Sequence, residues 1–244
     1  IKADLGESAI DLPILNWAKF PGEKGEVKAL IEFSGNTVRN IEITKAQIGT
    51  SHAEAWLEMS PSFAISRAIV KNVKFPGFDI DELIVTIDED NAVDLTAEGG
   101  LIDTTFLRRT TGLIGKRKIA FEFSSARLQL AKDITLQGAL AGNIDKFGSG
   151  TAILNGSLLL KQSPLIEEAT IEASFDTLYE TLSGTGLIGG AEATLSYTST
   201  DADTSQLIIR SQNAGRTLIG LNVLDTIRGG ELVLINTYKN KKFT

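Results

Sequence analysis

One histidine, His52, and no cysteine leave this 244-residue chain little with which to build a conventional reaction centre. A histidine-based metal cluster cannot be assembled, and any serine triad would have to be built around His52. Thiolate metal sites, cysteine nucleophiles and a disulfide framework are excluded together. His52 lies in Thr50-Ser51-His52-Ala53 at the start of a strand pattern, away from any nucleophile motif, and reads as a surface or turn residue. Gly184-Thr185-Gly186-Leu187-Ile188-Gly189 matches the pattern whose glycines let a pyrophosphate approach backbone amides at a helix start. The following segment, Ala191 to Tyr197, alternates as a strand instead, so these glycines read as a bend in a twisted sheet.

Acidic groups gather at Asp79, at Asp81-Glu82, at Asp88-Glu89-Asp90, and at Asp201 and Asp203. None has the ligand order of a calcium loop, and they read as solvated hairpin tips. No carboxylate pair is singled out for glycoside hydrolysis. Asn155-Gly156-Ser157 fits a glycosylation sequon, but the same residues suit a hairpin turn, which is the reading adopted. The chain is therefore expected to be non-enzymatic, with no metal and no cofactor.

The elements that would position any site follow from periodicity. Val27, Ala29, Ile31 and Phe33 alternate with Lys28 and Glu32, the mark of a strand with one wet face. The pattern returns at Ile41 and Ile43, Ala53 to Met59, Leu83 to Ile87, Val93 to Ala97, Ile119 to Phe123, Leu128 and Leu130, and Ile171 to Phe175. It continues at Ala191 to Tyr197, Leu207 and Ile209, and Leu232 to Ile235. Ser34-Gly35-Asn36, Asp88 to Asn91, Asp145 to Gly148 and Ser199 to Thr204 supply turns between them. No repeated helical segment separates the strands, which argues against βαβ units. Helical spacing is clear at Ala214 to Leu224, capped by Asn213 and stopped by Arg228-Gly229-Gly230; Asp103 to Arg109 is a weaker single turn. The expected fold is all-β, a mostly antiparallel meander with one C-terminal helix near 214–224 and a closing strand, forming one β-rich segment over 1–244.

The charge sum is −7, from 24 basic and 31 acidic residues, so there is no cationic surplus for a nucleic-acid backbone. No apolar run reaches the roughly 18 residues of a membrane-spanning helix. The chain opens at Ile1 without a signal-type core, which reads as a piece of a longer protein with any anchor outside it. What remains is much aliphatic surface on one parity of many strands. Either a closed β-sandwich buries it, or a curved sheet leaves part of it as a groove for acyl chains, which gain about 0.8 kcal/mol per buried CH2. Parity nominates Val85, Leu95, Phe121, Phe123, Ile171 and Phe175 as the groove lining.

Asn213-Ala214-Gly215, with Leu218, Leu221, Asp225, Ile227-Arg228-Gly229-Gly230, Leu232 and Leu234, resembles the closing signature of AsmA-like proteins, the bacterial envelope family of TamB and YhdP. Ile10-Asp11-Leu12-Pro13 with Asn16 to Lys19, and Gly99 to Asp103 with Phe106-Leu107, are similar to earlier landmarks of that family. The polar, lysine-rich stretch from Asn236 to Thr244 departs from it, since members usually continue into further strands. The resemblance implies a trough-like repetitive sheet, apolar inside and polar outside, in a bridge-like lipid-transfer protein. It also implies a periplasmic location with anchorage to the inner membrane in the full-length protein, phospholipid as the ligand, passage between inner and outer membranes or envelope assembly as the role, and envelope proteins as partners. The alternative expectation is a structural or protein-interaction β-sandwich without a lipid groove.

Overall fold

The computed structural model describes residues 1–12, 17–19, 21–75, 78–99, 101–103, 117–131, 134–147, 149–175, 180–199, 204–221, 223, 226 and 228–239. The chain divides into two compact units, Ile1–Ala126 and Arg127–Thr244.

The first unit holds β1 (Lys2–Asp4), β2 (Ile10–Leu12), β3 (Trp17–Lys19), β4 (Gly25–Ser34), β5 (Thr37–Ile48), β6 (Ser51–Met59), β7 (Ile65–Phe75), β8 (Phe78–Ile87), β9 (Val93–Glu98) and β10 (Leu101–Asp103). It also holds most of the described turns and the start of β11 (Ile119–Ala131). Strands β4 to β8 lie side by side in chain order, each antiparallel to the last, with β1 beside β4 and both β9 and β10 beside β8. The short β2–β3 hairpin forms a separate ladder. One pair departs from the expected meander: β11 runs parallel to β9, from Ile119 opposite Val93 to Phe123 opposite Ala97. Parallel neighbours cannot be joined by a hairpin, so the chain returns to the starting end of β9 before β11 begins. The single turn expected at Asp103 to Arg109 and the landmark residues Pro13, Asn16, Gly100, Phe106 and Leu107 lie outside the described residues, Asp103 itself excepted.

The second unit contains β12 (Ile134–Ile144), β13 (Gly150–Leu160), β14 (Ser163–Phe175), β15 (Glu180–Ile188), β16 (Ala191–Ser199), β17 (Thr204–Ser211), the helix α1 (Ala214–Gly220) and β18 (Leu232–Lys239). Its strands follow one another in chain order, all antiparallel, and among the described residues no ladder joins β18 back to β12. Among the described residues the protein is thus all-β, mostly antiparallel, with one short helix and an unclosed sheet.

Side-chain chemistry sets the turns. The Asp88 carboxylate accepts from the Ala92 amide at 2.7 Å, while Asn91 adopts a φ of 61°, where asparagine is tolerated better than most side chains. Asp145 likewise accepts from the amides of Phe147 and Ser149. Asn155-Gly156-Ser157, expected as a turn, instead lies in the middle of β13. The turn after it falls at Lys161 and Gln162, both at positive φ without a glycine to announce them.

The larger share of the buried hydrophobic residues belongs to one face of the second unit, while the first unit has its own, Ile80, Phe121 and Phe123 among them. Leu140, Leu154, Ile171, Gly184, Leu195, Ile209 and Leu234 stand opposite one another from β12 to β18. Leu158 is fully buried, and Leu136, Ile166, Ile171, Leu182 and Tyr197 are nearly so. A flat single sheet cannot seal its own face in this way, so the strands must bend around it. Glycine shows where. Gly138 and Gly156 face each other across β12 and β13, and a Cβ on either would lie 2.6 Å from the other's Cα. At the next seam but one, a Cβ on Gly184 would lie 2.9 Å from the Ile171 Cα. The strands fold toward the core side at both places because no side chain holds them apart.

Candidate functional site

In the first unit the same alternation builds an apolar face with a different fate. Registers carry one row of side chains from Ile31 through Ile41, Leu57, Ala68, Val85 and Leu95 to Phe121. A second row runs from Ala29 through Ile43, Ala55, Val70, Leu83 and Ala97 to Phe123. On β4 to β6 the aliphatic residues of these rows, with Val27, Ala46 and Ala53, are half-buried, while Ser51 at the start of β6 is buried and Phe33 near the end of β4 is exposed. Burial is greatest at the β11 end, where Phe121 and Phe123 are buried and their rings stack with centroids 5.4 Å apart.

The opposite face of these strands is mostly charged. Asn40 Nδ2 donates to Glu32 at 2.7 Å, and Lys71 pairs with Glu82 at 3.2 Å. Where β1, β4 and β5 meet, Glu26 is held by Lys2 and Lys45, each at 3.1 Å, and by Lys28 at 3.6 Å. The hydrogen bond from Lys45, then that from Lys2, lowers the Glu26 pKa from 4.5 to about 2. A recess of about 620 Å³ opens there, lined by Lys2, Asp4, Lys24, Gly25, Glu26, Gln47 and Gly49.

The six residues nominated as a groove lining do not form one site of one character. Val85, Leu95 and Phe121 stand in a single row, and Phe123 occupies the next row of the same face. Val85 and Leu95 are half-buried, whereas Phe121 and Phe123 are buried in the body of the unit. Ile171 belongs to the sealed core of the second unit and is 2% exposed. Phe175 pairs by backbone with Gly150 and Glu180, and its side chain lies outside the described residues. The more open stretch, Ile31, Ile41 and Leu57 with their neighbours, was not nominated although its alternation is plain in the sequence. Register, which decides which strands share an accessible surface, is not printed in any single strand.

The signature segment between β17 and β18 forms a clamped excursion. Asn213 caps α1, its side chain accepting from the Arg216 amide at 3.1 Å. The Ala214 amide donates to the Gly230 carbonyl at 2.7 Å, tying the start of the helix to the residue before Glu231 and β18. Gly229 and Gly230 take φ values of 75° and 84°, a conformation that favours glycine. The helix covers 214–220, shorter than the expected 214–224: Leu221 is its C-cap, and the Val223 amide donates to the Leu218 carbonyl at 2.9 Å. Small residues dock it. Ala214, Gly215 and Thr217 are buried, and the Thr217 hydroxyl donates to Ser211 Oγ at 2.8 Å, while Leu218 and Leu221 are only half-buried. Gly189, last glycine of the GxGxxG run, sits in the β15–β16 turn against Gly220, and a Cβ on Gly189 would lie 2.7 Å from the Gly220 Cα. That run is a packing device: Gly184 and Gly186 lie inside β15, and no helix begins after them. Arg228 is exposed, and Asp225 and Ile227 lie outside the described residues.

No family profile, no curated protein and no solved structure matches this chain.

Proposed function

We propose that the chain is a non-catalytic lipid-binding segment of an AsmA-like envelope protein, serving phospholipid passage between inner and outer membranes or envelope assembly. The observation that carries this reading is the half-buried apolar face of β4 to β6, continuous in register with Val85 and Leu95. Such a face presents a strip of methyl and methylene groups along which an acyl chain exchanges contact with water for contact with aliphatic side chains. The residues proposed to touch lipid are therefore Ile31, Ile41, Leu57, Val85 and Leu95. Phe121, Phe123 and Ile171 are proposed to support the fold instead.

A specific observation favours the alternative for the second unit: its apolar face is already filled by its own side chains, which is how a structural or interaction module without a groove is built. Photo-crosslinking with a diazirine-bearing phospholipid separates the readings. The parent chain is expected to capture lipid, and Ile41→Asp and Leu57→Asp are expected to lose most of that capture while melting within a few degrees of the parent. A parent that captures no lipid, or variants that lose capture only when they unfold, would overturn the proposal.

A further inference from the structure

The apolar side of β4 to β9 does not stop short of the turns. Beyond the row of Ile31 and Ile41 it continues at the end of the sheet where the β4–β5, β6–β7 and β8–β9 turns lie: Phe33 opposite Val38, Met59 opposite Ile65, and Ile87 opposite Val93. Val93 is buried and Ile87, Met59 and Val38 are half-buried, whereas Ile65 is 39% exposed and Phe33 61%. The β6–β7 turn adds a second aromatic ring. Phe63 is 59% exposed at a φ of 61°, a region where a bulky side chain is an outlier and glycine is at home. Backbone bonds close the turn around it, from the Ser60 amide to the Ala64 carbonyl at 2.7 Å and from the Phe63 amide to the Ser60 carbonyl at 3.0 Å. The turn therefore holds a ring in solvent at a conformational cost, and the ring buries little within the chain to offset it.

We infer that Phe33, Phe63 and Ile65 form a lip at which this end of the first unit touches the surface of a zwitterionic lipid bilayer, a reading that rests on the lipid contact proposed for β4 to β6. Continuity selects a bilayer as the partner. On β4 the series Ala29, Ile31 and Phe33 reaches the turn with no polar residue on its parity, so an acyl chain lying on the open face meets the lip without crossing a polar barrier. Aromatic rings are also favourable in the interfacial layer of a bilayer. Charge selects the headgroup. Segments 32–40, 58–67 and 86–94, which hold the three turns, contain six carboxylates, with Asp88, Glu89 and Asp90 in succession, against two arginines and no lysine. Surface binding to anionic lipid draws on clustered lysine and arginine. The acidic surplus turns this lip away from anionic headgroups and leaves burial of its apolar side chains as the attraction.

Flotation of the chain with phosphatidylcholine vesicles tests the lip, while crosslinking to dispersed diazirine-bearing phospholipid tests the face behind it. The parent is expected to float with phosphatidylcholine vesicles, and less with vesicles containing phosphatidylglycerol at low salt, the difference fading as salt screens the repulsion. Phe63→Gly is expected to melt at or above the parent temperature, because glycine accepts a φ of 61°, yet to bind vesicles about tenfold more weakly. Adding Phe33→Ser, at an exposed position, is expected to abolish flotation with the fold intact. Ile41→Asp is expected to lose crosslinking and keep flotation. A parent that captures dispersed lipid but ignores phosphatidylcholine vesicles overturns the lip and spares the lipid face; that outcome would leave the lip to a protein partner. A parent that floats, loses flotation with Phe63→Gly and captures no dispersed lipid supports the lip and removes the face. Tighter binding to phosphatidylglycerol vesicles overturns the inference, as does flotation that survives Phe63→Gly with Phe33→Ser.

Discussion

The apolar faces of β4–β6 and of β12–β17 start from the same alternation of aliphatic and polar residues, yet the first stays half-open and the second is sealed. Hydrophobicity does not separate them; backbone spacing does. On the sealed face glycines stand at 138, 156, 184 and 186, where neighbouring backbones come close enough that a methyl group would collide. On the open face the small positions are Ala29, Ala46, Ala53 and Ala55, and the only glycine within β4 to β6 is Gly25 at the start of a strand. The glycine seams, present on the sealed face and absent from β4 to β6 beyond Gly25, are the difference in backbone approach between the two.

The largest test of this contrast places the same charge on both faces. Leu158→Asp, at a fully buried position, forces an unpaired carboxylate into the core and is expected to cost several kcal/mol, enough to unfold the second unit. Ile41→Asp leaves its carboxylate in reach of water and is expected to cost on the order of 1 kcal/mol, the ordinary scale for a point substitution. Urea titration followed by circular dichroism measures both. Equal costs would mean that the two faces are equally covered, and the comparison would fail.

A smaller effect is expected from the seam itself. Gly156→Val puts a side chain against the Gln137 carbonyl and the Gly138 Cα, and should destabilise by about 1–3 kcal/mol through overpacking. The same change at Ala53 on the open face lengthens a side chain that already has room, and is expected to shift stability by less than about 0.5 kcal/mol. If Gly156→Val is neutral, the glycine seam is not what closes the core.

These differences explain how much could be read in advance. The strand-rich, mostly antiparallel class follows from period two, and the turns at Asp88 and Asp145 follow from aspartates suited to bind nearby amides. The strands β7, β12, β13 and β15 were not singled out. In β12 and β15 glycine stands at 138, 142, 184 and 186 in place of large residues on the sealed face, which weakens the alternation where packing is tightest. For the same reason Gly156 resembles a turn residue in sequence and proves to be a strand residue. The candidate site was only partly legible: Val85, Leu95 and Phe121 share a row that register alone reveals, and accessibility depends on how sharply neighbouring strands bend. The cap at Asn213 was legible because a single side chain makes it. The bond from Ala214 to Gly230 was not, because it joins backbone groups whose meeting depends on the whole excursion.

The smallest expected effect concerns the polar side of the open unit and depends on pH. Glu26, with a pKa of about 2 against an ordinary 4.5, binds its proton more weakly in the folded chain than in the unfolded one. Its interactions with Lys45, Lys2 and Lys28 therefore stabilise the fold above about pH 4.5 and lose that contribution as pH falls toward about 2. Because the carboxylate and its lysines are exposed to solvent, the contribution is small and salt weakens it further. Both tryptophans, Trp17 and Trp56, lie in the first unit, so their fluorescence can follow that unit by itself. Glu26→Gln is expected to lower the first-unit transition slightly at pH 6 and low salt, with the gap from the parent closing as the pH drops from 4.5 toward 2 and narrowing in high salt. A gap that stays constant across that range would show that Glu26 acts through packing rather than charge. The tie from β1 to β4 and β5 would then have to rest on the backbone ladder and the bond from the Ile1 amino group to the Ala29 carbonyl.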